Sequence, residues 1–291
     1  MCLAVRPNRA MFGLSRITWV TAHPLSKGQL VRNVARFLSW QVRSRVSRKP
    51  YVFEFVNGAK MLAISGMRGV TGNLYVGLHD DEEMGFLLHF LRPDDFFADV
   101  GANVGSYTVL AGASIGAQVI AFEPAAETLR WLILNLDLNK ISDHVEARRE
   151  AVGAKVGTVS FTSGLDTCNR IDANGAVSVP ITMLDLACSR VPALIKIDVE
   201  GYEADVLRGA ERILSDQTAQ AVVMELNDNC AIGLLERHGF TCCTYNPFKR
   251  ILAPRPHPLS GNSNGIFVRD LEQARRRISG APAFLVRGWS I

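Results

Sequence analysis

Residues 96–105, Phe-Phe-Ala-Asp-Val-Gly-Ala-Asn-Val-Gly, constrain this chain more than any other segment. A short apolar run carries Asp99, glycines follow at Gly101 and Gly105, and residues 106–115 can continue as a helix. That is a buried strand, a tight turn and a helix start. In open α/β sheets such a turn is where a nucleotide-like ligand rests. Glycines there let backbone approach a ligand with no Cβ in the way. The acid narrows the ligand. A dinucleotide lays its pyrophosphate over the turn, and a carboxylate at Asp99 would repel it. S-adenosylmethionine has no phosphate there, and its ammonium suits that carboxylate.

The pattern downstream supports a sheet. Strands are expected at 96–100, 118–122, 145–152, 194–199, 221–226, 241–245 and 265–268, with helices at 106–115, 125–139, 204–214 and 232–238. Strands alternating with helices argue for a parallel sheet covered on both faces. The last two strands are expected to pair antiparallel. A further antiparallel pair, 158–162 with 176–182, interrupts the rhythm as an insertion. Upstream, short strands are expected at 51–56, 60–64 and 74–78, with Asn57-Gly58 as a hairpin turn between the first two. Residues 81–91 read as a helix with an acidic start.

A second helix is expected over 29–46, with Leu30, Val34, Phe37, Leu38, Gln41, Val42 and Val46 on one stripe and Arg32, Arg36, Arg43 and Arg45 mostly off it. It reads either as docked on the domain or as lying on an anionic membrane. Residues 1–27 show no clear period. The chain divides into a basic arm and amphipathic helix (1–50), packing strands and a helix (51–94), the main domain (95–270) and a tail (271–291).

At 291 residues, 48% of them apolar, the chain can bury a sizeable core. No apolar run approaches the roughly eighteen residues that span a bilayer, and no secretory signal is evident near Met1. The six cysteines form no C-x-x-C pair and read as reduced thiols of a cytoplasmic protein. Cys242 and Cys243 are expected on opposite faces of a strand. The six histidines show no metal-ligand spacing, so no metal is expected. Residues 1–50 hold ten Lys or Arg and no acid, which leaves 22 bases against 28 acids in the rest, a balance of −6. The formal +4 is therefore a basic arm on a mildly acidic body. Nucleic acid is not the expected partner, because no aromatic-rich basic module accompanies the arm. Peripheral contact with the inner membrane face is open, and so is oligomeric state.

Several polar residues could carry chemistry. Glu123 ends the second strand, 22 positions after Gly101, where an acid can accept both ribose hydroxyls; the plainer alternative is an acid that starts a helix. Asn103 can offer backbone or amide groups to the ligand's amino-acid end. The segment Ile-Lys-Ile-Asp-Val-Glu-Gly at 195–201 sets Lys196, Asp198 and Glu200 at alternate positions near a strand end. Buried charges are costly unless paired. These residues either form a structural Lys–Asp pair or face the methyl acceptor, with Asp198 or Glu200 binding or deprotonating it. Glu225 and Asn227 could orient substrate or cap a helix. His79, before a run of acids, could gate the site or sit in a solvated turn. Residues 166–169 of the insertion could reach over the pocket.

Four segments together resemble the FkbM family of S-adenosylmethionine-dependent methyltransferases: Asp-Val-Gly-Ala-Asn-Val-Gly at 99–105, Ala-Phe-Glu-Pro at 121–124, Ile-Lys-Ile-Asp-Val-Glu-Gly at 195–201 and Asn-Gly-Ile-Phe at 264–267. The resemblance covers roughly residues 95–270. It implies a class I methyltransferase fold, α/β and Rossmann-like, with seven strands and the last one antiparallel. It implies O-methylation of a sugar, glycolipid or other secondary-metabolite hydroxyl, with a small-molecule or glycan acceptor. Carried over, Asp99, Gly101, Asn103, Gly105, Glu123 and Pro124 would hold S-adenosylmethionine, and Lys196, Asp198 and Glu200 would serve catalysis. A nicotinamide-dependent oxidoreductase, or an inactive fold bound to a membrane surface, stands as the alternative.

Overall fold

The computed structural model describes residues 9–162, 171–172, 175–256 and 264–291. Its main sheet has eight strands among the described residues: β1 (Phe96–Val100), β2 (Gln118–Phe122), β3 (Val145–Arg148), β4 (Leu194–Ile197), β5 (Ala221–Glu225), β6 (Thr241–Asn246), β7 (Ile251–Pro254) and β8 (Asn264–Val268). Their order across the sheet is β7-β6-β8-β5-β4-β1-β2-β3. β1 runs parallel to β2 and β4, and β8 runs antiparallel to both β5 and β6.

The central strands are buried on both faces, which is why they read as continuous apolar runs. Ala98, Ile120, Ile195 and Val222 belong to one core cluster, and Phe97, Val119, Leu194 and Val223 to the other. Cys242 and Cys243 fall into opposite clusters, as strand alternation requires.

The sheet is class I methyltransferase-like but has eight strands, not seven. β7 folds back on the outer edge of β6, with Pro254 opposite Cys243. An edge strand tolerates proline, whose missing N–H breaks no inner ladder. The expected strand at 145–152 is divided. Val145–Arg148 stays in the main sheet, and Ala151–Val152 leaves it to pair with Val177–Thr182, which also pairs antiparallel with Gly157–Phe161.

Residues 74–78 are not a strand. A helix, Arg68–Val76, covers most of them. That segment is buried on nearly every side, so its sequence shows no helical stripe. The helix expected at 204–214 breaks into Glu203–Arg208 and Glu211–Ser215. At the break, a Cβ on Gly209 would stand 2.0 Å from the Gly153 carbonyl oxygen.

Val20, Leu25, Phe37 and Trp40 carry the N-terminal segment onto the body. The helix Arg9–Ala22 was invisible to periodicity. The helix Leu30–Val46 forms as expected, but it docks on a different face: Asn33, Phe37 and Trp40 are buried, while Leu30, Leu38, Val42 and Val46 are exposed. Asn33 explains the rotation. Its amide donates to the Leu25 carbonyl and to Ser26 Oγ in the interior. The tail contributes a helix, Leu271–Ser279, and Phe284, Val286 and Ile291 join the cluster that holds Val20, Leu25, Phe37 and Trp40.

Candidate functional site

A cavity of about 370 Å³ opens at the C-terminal ends of β1, β2, β4 and β5. Ligands of open α/β sheets lie at such strand ends. Gly101, Asn103, Glu123, Pro124, Lys196, Asp198 and Glu200 line it; Asp99 and Gly105 do not.

Asp99 and Lys196 are register partners on adjacent parallel strands. Asp99 is wholly buried and accepts a hydrogen bond from Thr108 Oγ1 at 2.6 Å. Its other oxygen stands 3.7 Å from Lys196 Nζ. Lys196 donates to Asp198 Oδ2 at 3.1 Å and to the Gly101 carbonyl at 3.3 Å, and lies 4.8 Å from the centre of the Tyr107 ring. Burial opposes the charge on Lys196, but Asp198 and Asp99 more than offset it and hold its pKa above the ordinary lysine value. Burial pushes Asp99 upward, with Lys196 and Thr108 pulling the other way. An ammonium clamped between two acids stays protonated. That environment holds Lys196 in its charged form, which disfavours a role as base.

This corrects the role expected for Asp99. It sits buried behind the turn beside Lys196 and does not line the cavity. The selective field comes from the lining itself. Asp80, Glu123, Glu150, Asp198, Glu200 and Glu225 face the cavity, against Lys196 as the only lysine or arginine among the described lining residues. Such a surface suits a sulfonium and an ammonium and opposes the diphosphate of a nicotinamide dinucleotide.

The glycines also allow close contacts within the chain. Gly101 has φ +77°, and a Cβ there would lie 1.9 Å from the Asp198 carbonyl oxygen. Gly105 has φ +91°, and its Cβ would meet Leu132 Cδ1 at 2.4 Å. Gly101 lets the β1 turn close on the β4 turn, and Gly105 lets it close on the helix Ala126–Asn139.

Glu123 joins that turn to the next helix. One oxygen accepts from the Asn103 N–H at 3.0 Å, the other from the Ala125 N–H at 2.8 Å. Burial pushes its pKa up to about 7. Each carboxylate oxygen can accept a second hydrogen bond, so the helix-start role and the ribose role are compatible. Asn103 has φ +52°, and its side-chain oxygen accepts from the Val104 N–H, so the amide is engaged within the turn.

β4 ends at Ile197, so Asp198 and Glu200 sit on the turn beyond it, with Glu200 at φ +50°. Glu225 and Asn264, register partners on β5 and β8, close the far wall. Burial, with Asp198, Glu200 and Glu203 nearby, pushes Glu225 up to about 7. Asn227 donates to Glu225 and does not line the cavity. Residues 166–169 lie outside the described residues, but Phe161 and Ile171 bring the insertion to the cavity wall.

The structure adds a pair whose importance the sequence left open. His79 Nδ1 is 3.0 Å from Asp80 Oδ1, and Asp80 Oδ2 accepts from the Tyr107 hydroxyl at 3.1 Å. Both His79 and Asp80 line the cavity. The His79 ring lies over Gly72, where a Cβ would stand 2.2 Å from Cδ2, and Trp19 supports it with ring centres 5.1 Å apart. Burial lowers the His79 pKa, but Asp80, Glu83 and Asp198 outweigh it and raise the value above that of free histidine. Burial raises Asp80, yet His79, Tyr107 and Lys196 bring it below the usual carboxylate value. With Nδ1–H donated to Asp80, Nε2 is the basic nitrogen. The signal in sequence was the His-Asp step just before the helix Asp81–Phe90.

Residues 99–240 match the family model of the methyltransferase FkbM domain. The chain is 25% identical over 206 residues to the hexuronic acid methyltransferase AglP of Haloferax volcanii, covering 68% of this chain and 83% of that protein. It is 30% identical over 191 residues to methyltransferase 1 of Beauveria bassiana, covering 53% of this chain and 76% of that one. Among solved structures, the methyltransferase FkbM of Methylobacillus flagellatus superposes with a TM-score of 0.44 at 15% identity, over 89% of this chain and 59% of that one. The donor of this fold is S-adenosylmethionine, and the acid-lined cavity with Glu123 at the β2 end fits it. The oxidoreductase alternative is thereby set aside, and the chain belongs to the FkbM family of methyltransferases.

Proposed function

We propose that this protein methylates a hydroxyl group of a sugar or glycan, with His79 as the base that receives the hydroxyl proton. The observation that carries this reading is the His79–Asp80 pair, which shares one cavity with the Glu123 turn and Asp198. When bound, S-adenosylmethionine supplies a sulfonium methyl group that an oxygen nucleophile can displace. The chain's own residues do the rest. Glu123 accepts hydroxyl donors from the nucleoside. Asp80 holds the His79 ring in one tautomer, the role an orienting carboxylate plays for a histidine base. A sugar hydroxyl is a weak nucleophile at neutral pH, and a positioned base contributes typically 10²–10⁴-fold. Asp198, fixed by Lys196, accepts from a second acceptor hydroxyl and sets its angle of approach.

Support for a sugar comes from two sides. The Haloferax relative is named for a hexuronic acid. Cavity carboxylates are acceptors for the several hydroxyl donors that a sugar presents.

The test is product analysis. The purified protein is incubated with S-adenosylmethionine and a panel of neutral and uronic glycans. Release of S-adenosylhomocysteine should accompany a gain of one CH₂ on the glycan, and that group should survive mild alkali, as a methyl ether does. An alkali-labile methyl ester would put the methyl on a carboxylate and refute the hydroxyl assignment.

A further inference from the structure

The helix Leu30–Val46 docks through Asn33, Phe37 and Trp40 and turns an aliphatic stripe outward. Val31 is 82% exposed, Leu38 51%, Val42 63% and Val46 79%. With Ala35, also exposed, these residues follow the 4-3-4-4 spacing that keeps side chains on one helix face. Sixteen residues at 1.5 Å each give a stripe roughly 24 Å long. Three residues of the stripe that periodicity marked, Leu38, Val42 and Val46, therefore lie on this exposed face, while Phe37 of that stripe is buried.

Charge decides what can cover it. On a helical wheel Arg45 flanks one edge, and Arg32, Arg36 and Arg43 flank the other. Arg48 and Lys49 follow at the C-terminal end. No Asp or Glu occurs before Glu54. A second copy laid on the stripe would bring arginines against arginines with no acid from this region to pair them. An anionic lipid surface matches both features at once: the aliphatic side chains enter the acyl boundary, and the flanking arginines meet headgroup phosphates. Among the described residues no helix is long and apolar enough to cross a membrane.

We propose that this outward face of the helix Leu30–Val46 is a docking surface for anionic phospholipid, on which the helix lies flat. This inference is independent of the acceptor's identity.

Vesicle sedimentation tests it with the full-length protein in 150 mM salt, using phosphatidylcholine alone or with 30% phosphatidylglycerol. The expected result is pelleting with the mixed vesicles and not with phosphatidylcholine. Val31→Asp with Val42→Asp should abolish pelleting while the melting temperature and S-adenosylmethionine affinity stay at wild-type values. Arg32→Gln with Arg45→Gln keeps the stripe and removes two flanking charges. At about 1 kcal/mol per basic residue near the surface, its apparent vesicle affinity should fall roughly thirtyfold. The proposal is overturned if the protein stays in the supernatant with mixed vesicles, or if the aspartate variant pellets like the wild type. It is also overturned if light scattering shows a dimer that the same variant turns into monomers.

Discussion

Lys196→Met should destabilise the protein by about 3–5 kcal/mol, the usual cost of removing one partner from a buried ion pair. Asp99 has no exposed surface, and with methionine at 196 its nearest cation disappears. Two unit charges 3.7 Å apart attract by about 4.5 kcal/mol at an effective dielectric near 20. Two independent arguments thus give the same size. Thr108 still donates to Asp99, which keeps the loss from growing further. Asp99→Asn should cost less, because Lys196 keeps Asp198 as its partner. The double variant should then be more stable than the sum of the single losses allows, with a coupling of about 2–3 kcal/mol. Urea titration followed by tryptophan fluorescence reads all four proteins, and the Lys196→Met melting temperature should fall by roughly ten degrees. If the two single losses add to the double within about 0.5 kcal/mol, Asp99 and Lys196 are not a pair and the reading of the β1–β4 junction is wrong.

Two further predictions concern titration. Glu83 is buried and its pKa is pushed up to about 8, by burial first and then by Asp80 and its other acidic neighbours. Between the ordinary glutamate value and 8 the folded protein holds a proton that the unfolded chain releases, so rising pH favours unfolding across that window. Calorimetry should show Glu83→Gln gaining melting temperature over the wild type between pH 5.5 and 8.5; a constant difference would contradict the assignment. For His79, activity should fall as pH drops through its raised pKa, with the acid limb of kcat/KM above the ordinary histidine range. Asp80→Asn should move that limb to lower pH and lower kcat, while His79→Gln should remove the limb. A His79→Gln enzyme with the wild-type profile would assign the base elsewhere.

The central strands of the main sheet were legible because they are buried on both faces and bounded by glycine, proline and acids; the edge strand β7, half exposed, was not. The Asn57-Gly58 hairpin was legible too: both residues adopt positive φ, as the turn needs. What periodicity missed has specific causes. Arg68–Val76 is enclosed on almost all sides, so no stripe marks it. The Leu30–Val46 helix buries a hydrogen-bonded asparagine and exposes valines, which inverts the rule used to orient it. The cavity lining was legible at Gly101, Asn103, Glu123, Lys196, Asp198 and Glu200 because strand ends carry polar residues that a buried sheet does not otherwise need. Asp99 was misplaced because sequence gives its strand position and not the lysine beside it on β4. His79 was undervalued because Trp19, which packs against its ring, and Tyr107, which donates to its partner Asp80, lie far away along the chain.

Calorimetric titration of S-adenosylmethionine into the wild type and Glu123→Gln is the most direct trial of the acid-lined donor cavity. Wild type should bind one equivalent, and Glu123→Gln should bind roughly ten- to a hundredfold more weakly, the worth of a hydrogen bond to a charged group. Equal affinity in both proteins, or heat from NADH and none from S-adenosylmethionine, would contradict it.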